Sequence, residues 1–192
     1  MAKLLIVNPR SMNSQMSYIH HLNYFAEHSN DELFLVCESV ENNLINKRVK
    51  IIELARYNNR FFFAIEFYLM VAKLIIKNNI KQVISAYGHF NSLLVLFLLK
   101  AKISKQWQGV LIYDLRSASV SGKLDSLQNK FFLFESFFHQ QRIAVSEHAA
   151  VKVFGGNRAT KCFISGVGGF SRKDVEQASY TKEAIQRIKE KH

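Results

Sequence analysis

Two short apolar runs, each ending in charged and polar residues, do most to limit what this chain can fold into. The first is Val110-Leu111-Ile112-Tyr113-Asp114-Leu115-Arg116, and the second, about thirty residues later, is Arg142-Ile143-Ala144-Val145-Ser146-Glu147. A strand buried on both faces has this pattern, because helices cover its sides and only its tip meets water. In an open α/β sheet that tip is the carboxyl edge, where ligands bind.

The rest of the chain alternates in the same way. Strand patterns fall at Lys3–Asn8, Leu33–Cys37, Val49–Leu54, Gln82–Ala86, Val110–Leu115, Arg142–Ser146 and Lys161–Ile164. Helical periods fall at Ser14–His28, Arg60–Lys77, Asn91–Ile103, Leu124–His139, Glu147–Phe154 and, more polar, Val175–Lys189. In Ser14–His28 the apolar stripe is Met16, Ile19, Leu22 and Phe25 or Ala26, with Asn13 or Ser14 placed to cap it. Gly155-Gly156 supplies a stop after Phe154. Strands separated by helices imply right-handed crossovers and a mostly parallel sheet of about seven strands. The expected fold class is α/β, a Rossmann-like three-layer α/β/α sandwich.

Residues 1–192 fit a single domain, and one proline with eight glycines leaves little for a linker. A hydrophobic fraction of 48% with 16 Phe is ample for a packed core. The formal charge of +11 attracts phosphate, whether on a nucleotide, a nucleic acid or an anionic bilayer, although scattered lysines are equally a solvated surface. Cys37 and Cys162 lie far apart in strand patterns, which suits buried reduced thiols and a cytoplasmic location. The first eight residues have the pattern of a strand, not of a secretory signal. No run approaches the ~20 apolar residues of a membrane-spanning helix.

Residues just past each strand line one rim. Here they include Pro9 to Gln15 with Asn13, Tyr87-Gly88-His89, Asp114 to Ser117, and Ser146-Glu147-His148. Asp114 and Arg116 alternate onto one side of the chain. The carboxylate can orient or deprotonate a hydroxyl, and the guanidinium can hold a phosphate in a fork. The same pair is equally an ion pair anchoring the strand end. Ser117 to Gly122 is a loop that either folds over a ligand or only connects. His89 either contacts a sugar or phosphate or caps a helix, while His20, His21 and His28 form a surface group.

A Gly-x-Gly-x-x-Gly turn, a P-loop lysine, a Gly-x-Ser-x-Gly elbow, an Asp-x-Asp site and metal-ligand spacing are all missing. A standard dehydrogenase, a P-loop NTPase, an α/β-hydrolase and a metal-dependent transferase of the Asp-x-Asp kind are thereby disfavoured, and no metal is expected. The helix from Arg60 to Met70 is rich in aromatic residues and flanked by Lys73 and Lys77. It suits either an anionic membrane surface or a core, as does the cluster Phe131, Phe132, Phe134, Phe137 and Phe138.

Three stretches taken in order carry a resemblance. Leu111-Ile112-Tyr113-Asp114-Leu115-Arg116 is similar to a strand ending in His or Asp-x-Arg. Ile143-Ala144-Val145-Ser146-Glu147 is similar to a "vSe" segment, and Lys161 to Val167 to a strand leading into a "P-x-G-V-D" crossover. Together they resemble the N-terminal, acceptor-side domain of GT-B glycosyltransferases, nearest family 4. Ser165 stands at the crossover proline, Gly168-Gly169 stands where an acidic residue is usual, and no Glu-x7-Glu pair occurs.

The resemblance implies that the chain is the acceptor-binding half of a transferase acting in surface polysaccharide or glycolipid synthesis. A nucleotide-sugar would be its co-substrate, with no cofactor held by this chain. Asp114 would be the catalytic group, and Arg116, His89, Ser146, Glu147 and Asn13 would bind substrate. The partners implied are a separate donor-binding domain or subunit, a lipid-linked or glycan acceptor, and the inner face of the cell membrane. The alternative is a non-catalytic basic module that binds nucleic acid or anionic membrane. No recognition helix, aromatic RNA-binding strand or zinc module supports nucleic acid.

Overall fold

The computed structural model describes residues 2–13, 15–54, 59–86, 90–115, 123–155 and 159–164. Seven strands form one sheet: β1 (Lys3–Ser11), β2 (Glu32–Ser39), β3 (Val49–Glu53), β4 (Gln82–Ala86), β5 (Val110–Leu115), β6 (Gln141–Ala144) and β7 (Phe163–Ile164). Among the described residues five α-helices alternate with them: α1 (Met16–His28), α2 (Arg60–Asn78), α3 (Asn91–Ile103), α4 (Lys123–Ser136) and α5 (Glu147–Phe154); the helix expected at Val175–Lys189 lies outside the described residues. The strand order is β3-β2-β1-β4-β5-β6-β7 and every pairing is parallel. This is the Rossmann-like α/β architecture expected from the alternation. The order reverses between β1 and β4, so the sheet has a topological switch point there.

Alternation along the strands sorts the helices onto two faces. Leu5, Val7, Phe34, Val36, Val83 and Leu111 point to the side covered by α2 and α3. Tyr113, Leu115 and Ala144 extend that side beneath α4 and α5. Leu4, Ile6, Leu33, Leu35 and Cys37 point to the other side, where α1 packs through Tyr18, Ile19, Leu22 and Ala26.

Helix α2 is a core helix. Phe63, Ala64, Phe67, Tyr68, Val71, Ala72 and Ile75 are all buried, while Phe61, Phe62, Leu69 and Ile76 are the large apolar residues left open to solvent. Asn59 starts α2 by accepting from the Phe61 and Phe62 amides, and Asn79 ends it in the left-handed conformation at φ 52°. Of the two roles that the sequence leaves open for this helix, most of its apolar surface serves the core. Among the described residues no helix is long and apolar enough to cross a membrane.

Several strand ends differ from the expected spans, two of them for a visible reason. β1 runs on to Ser11, and its pairing with β2 shifts register between Asn8 and Ser11. Pro9 has no amide to donate, and the irregularity falls where that donor would be needed. β6 stops at Ala144 because Ser146 is already the cap of α5.

Candidate functional site

The carboxyl edge is held in shape from the helix-covered side. The Tyr68 hydroxyl bonds to the Asn91 side-chain oxygen, and the Asn91 amide donates to the Ala86 carbonyl at 2.9 Å. This chain, wholly buried, ties the start of α3 to the tip of β4. Phe90, just before α3, takes a left-handed φ of 71°, a conformation that costs a non-glycine residue about 1–3 kcal/mol. Glu135 of α4 accepts from both the amide and the hydroxyl of Ser92, which satisfies one amide that the first turn of α3 cannot use itself. Burial raises the Glu135 pKa above the ordinary carboxylate value, against the two Ser92 bonds.

Asp114 sits at the tip of β5 in register with Ala86 on β4 and Ile143 on β6. Tyr113 before it and Leu115 after it enter the α4–α5 core, so Asp114 is forced onto the opposite face. There it is fully buried from bulk solvent, yet it lines a cavity of about 260 Å³. Ile6, Ile84 and Ile143 form the cavity floor, Tyr18, His21 and Phe25 of α1 one wall, and Phe163 and Ile164 of β7 another. The carboxylate is thus a polar group within a mostly apolar recess, the setting in which one charged group fixes the orientation of a ligand.

A second recess, of about 330 Å³, opens between α5 and β7. Glu147, Ala150 and Val151 line it from α5, and Thr160, Cys162 and Ile164 from the far side. Ile164 belongs to both cavities, so the end of β7 stands between them. Burial raises the Cys162 pKa, an effect that nearby Arg142 offsets in part.

The remaining expected site residues are divided. Ser146 caps α5, its hydroxyl accepting from the Ala149 amide at 3.2 Å. Glu147 opens the same helix, where a carboxylate suits the positive end of the dipole, and also borders the second recess. Asn13 is exposed and latched to Glu41: its side-chain oxygen accepts from the Glu41 amide at 2.9 Å. Asn13 does not reach either cavity. His89, Arg116 and the loop from Ser117 to Gly122 lie outside the described residues.

His21, which the sequence groups with the surface histidines, is half-buried and lines the Asp114 cavity. The signal was present, since Tyr18, His21 and Phe25 recur at helical spacing beside the Ile19–Leu22 stripe. His28 does belong to the surface, stacked on Tyr24 at 4.2 Å. Among the described residues no group of three or more His, Cys, Asp or Glu could hold a metal ion.

No protein-family model and no curated protein matches the sequence. Solved structures do match. A glycosyltransferase from Rickettsia africae ESF-5 aligns with a TM-score of 0.61 at 14% identity, over 99% of this chain and 49% of its own. Phytolacca americana UGT2, solved with UDP-2fluoro-glucose and pterostilbene, aligns at 0.59 and 8% identity, over 97% and 57%. Anabaena Alr3699/HepE, solved with UDP and glucose, aligns at 0.56 and 12% identity, over 97% and 50%. The chain spans about half the length of each, and its fold is that of a Rossmann-like GT-B glycosyltransferase domain. The likeness is one of fold and does not single out family 4.

Proposed function

We propose that this chain is the acceptor-binding half of a glycosyltransferase whose donor site is supplied by a separate domain or subunit. The observation that carries the reading is Asp114, a strand-end carboxylate set in a recess of a fold shared with one half of solved glycosyltransferases. In this reading the acceptor hydroxyl reaches the Asp114 carboxylate, which orients it and takes its proton as the sugar is transferred. Tyr18 and His21 line the same recess and contact the acceptor from α1. Arg116, two positions on, holds the donor phosphates. The acceptor is a surface glycan or a glycolipid, and the sugar comes from a nucleotide-sugar.

An acceptor half should recognise glycan without needing donor. The full chain, immobilised and screened against bacterial surface oligosaccharides, should bind a subset of them, and Asp114→Asn should weaken that binding about tenfold or more. Adding a donor-binding partner and nucleotide-sugars should then give transfer that Asp114→Asn abolishes. Glycan binding unchanged in Asp114→Asn would remove the site, and absence of any glycan binding would remove the function.

A further inference from the structure

Helix α3 is apolar all the way round, from Leu93 to Leu99 without a break. A helix of that kind is normally enclosed on every side. Only one side of α3 is enclosed: Asn91, Leu94, Leu98 and Ala101 are buried. On the other side Leu96 is 57%, Leu99 47% and Ile103 75% exposed. Scattered surface leucines need no explanation, but three at helical spacing on one short helix form a stripe.

A second exposed apolar group lies on α4, beside the start of α3. Ser92 lies one turn before Leu96, and its bonds to Glu135 bring the last turn of α4 alongside. Phe134 and Phe138 flank Glu135 and pack edge-to-face at 5.1 Å, with about half and a third of their surfaces open. Lys100, Lys105 and Lys130 are exposed around this surface. From Asn91 to Lys105 there is no acidic residue, and the one carboxylate between Leu127 and Phe138, Glu135, is turned inward onto Ser92.

We infer that the α3–α4 seam is a docking surface for an anionic lipid bilayer. Exposed apolar side chains with lysines on the same stretches of α3 and α4, which turn no carboxylate outward, match the layered chemistry of a headgroup region over acyl chains. The 13 residues of α3 measure only ~20 Å, short of the ~30 Å hydrocarbon core, so the helix lies in the interface and does not span it. A second copy of this chain would set Lys100 and Lys130 against lysines of a protein with net charge +11, which disfavours self-association. The inference is independent of glycosyl transfer. It also places the membrane contact on α3 and α4, in place of the core helix α2.

The test is sedimentation of the full chain with phosphatidylcholine vesicles, with and without phosphatidylglycerol. Binding should require the anionic lipid and fall steeply as salt shortens the Debye length from ~30 Å to ~3 Å. Leu96→Asp with Leu99→Asp should weaken it by about tenfold or more. Phe61→Ser with Phe62→Ser, an equally exposed pair on α2, should leave it unchanged. Leu99→Trp, which keeps the surface apolar, should bind and shift its emission to the blue against the buried Trp107. Wild-type binding by the double aspartate variant, or an unshifted Leu99→Trp, would overturn the assignment. So would failure to sediment with anionic vesicles, or a lipid-free dimer that Leu99→Asp dissolves.

Discussion

Acid should destabilise this protein through one buried ring. His139 is 4% exposed, and its Nδ1–H donates to the Glu135 carbonyl at 3.0 Å. Tyr113 packs against it edge-on at 5.1 Å. Burial is the main reason its pKa falls from 6.5 to about 4; the Glu135 carbonyl bond opposes this, and Arg142 and Lys102 reinforce it. Between those two values the unfolded chain binds the proton and the folded chain does not. Stability present above pH 6.5 is therefore lost as pH drops toward 4. At about 1.4 kcal/mol per pH unit, the full window is worth about 3 kcal/mol.

Glu135 works in the opposite sense. Its raised pKa means that the folded state takes up a proton before the unfolded state does. Its contribution is present below 4.5 and lost as pH rises through the folded value. His139→Phe keeps the ring volume and the Tyr113 contact but deletes the titration. The lost carbonyl bond should cost about 1 kcal/mol, an offset that does not itself vary with pH and that the deleted titration outweighs near the acid end. Urea unfolding followed by the single tryptophan, Trp107, measures both proteins from about pH 7.5 to 4.5. The variant should start less stable, lose less on acidification, and meet or pass the wild type near the acid end. Other carboxylates cancel in the difference between the two curves. Parallel pH profiles would refute the reasoning.

Two further outcomes follow from packing and burial. In Gly109→Ala the new Cβ would lie 2.4 Å from Trp107 Cζ2 and 2.7 Å from the Lys81 carbonyl oxygen, and the indole cannot swing away because its Nε1 donates to Ile80 at 2.6 Å. The expected cost is about 1–3 kcal/mol, or roughly 2–12 °C in Tm by calorimetry, and an unchanged Tm would contradict it. For the thiols, burial pushes the Cys37 pKa up to about 12, whereas Cys162 is only partly covered. A chromogenic disulfide at mild alkaline pH should titrate one thiol in the native protein and two in urea, and two fast native thiols would contradict that.

Local sequence pattern located the elements well where one side chain type decided the outcome. The spans expected for Gln82–Ala86, Asn91–Ile103 and Val110–Leu115 are those observed. Boundaries moved where a polar side chain made a long-range choice. α4 ends at Ser136, short of His139: the Phe137, Phe138 and His139 amides bond three residues back in a tightened turn, and Arg142 also donates to the Ser136 carbonyl at 3.1 Å. The same limit explains the site. Asp114 was legible as a strand-end carboxylate, but His21 lacked a visible partner because the residues that share its cavity come from β1, β4, β5, β6 and β7. The aromatic residues of α2 and α4 could not be apportioned between core and surface from composition, since Phe132 is buried while Phe134, two residues on, is not.

β5 carries two duties on alternate residues, which makes them separable by experiment. Tyr113 faces His139 and the α4 side, so it belongs to the acid-sensitive core. Asp114, one peptide further, faces the α1 side and the cavity. His139→Phe should therefore alter the pH dependence of unfolding while leaving glycan binding near neutral pH intact. Asp114→Asn should weaken glycan binding and leave the difference in pH profile between wild type and His139→Phe as it was. If both variants lost glycan binding together, the carboxylate would be acting only through the packing of the strand, and the recess would be structural rather than a place where an acceptor is held.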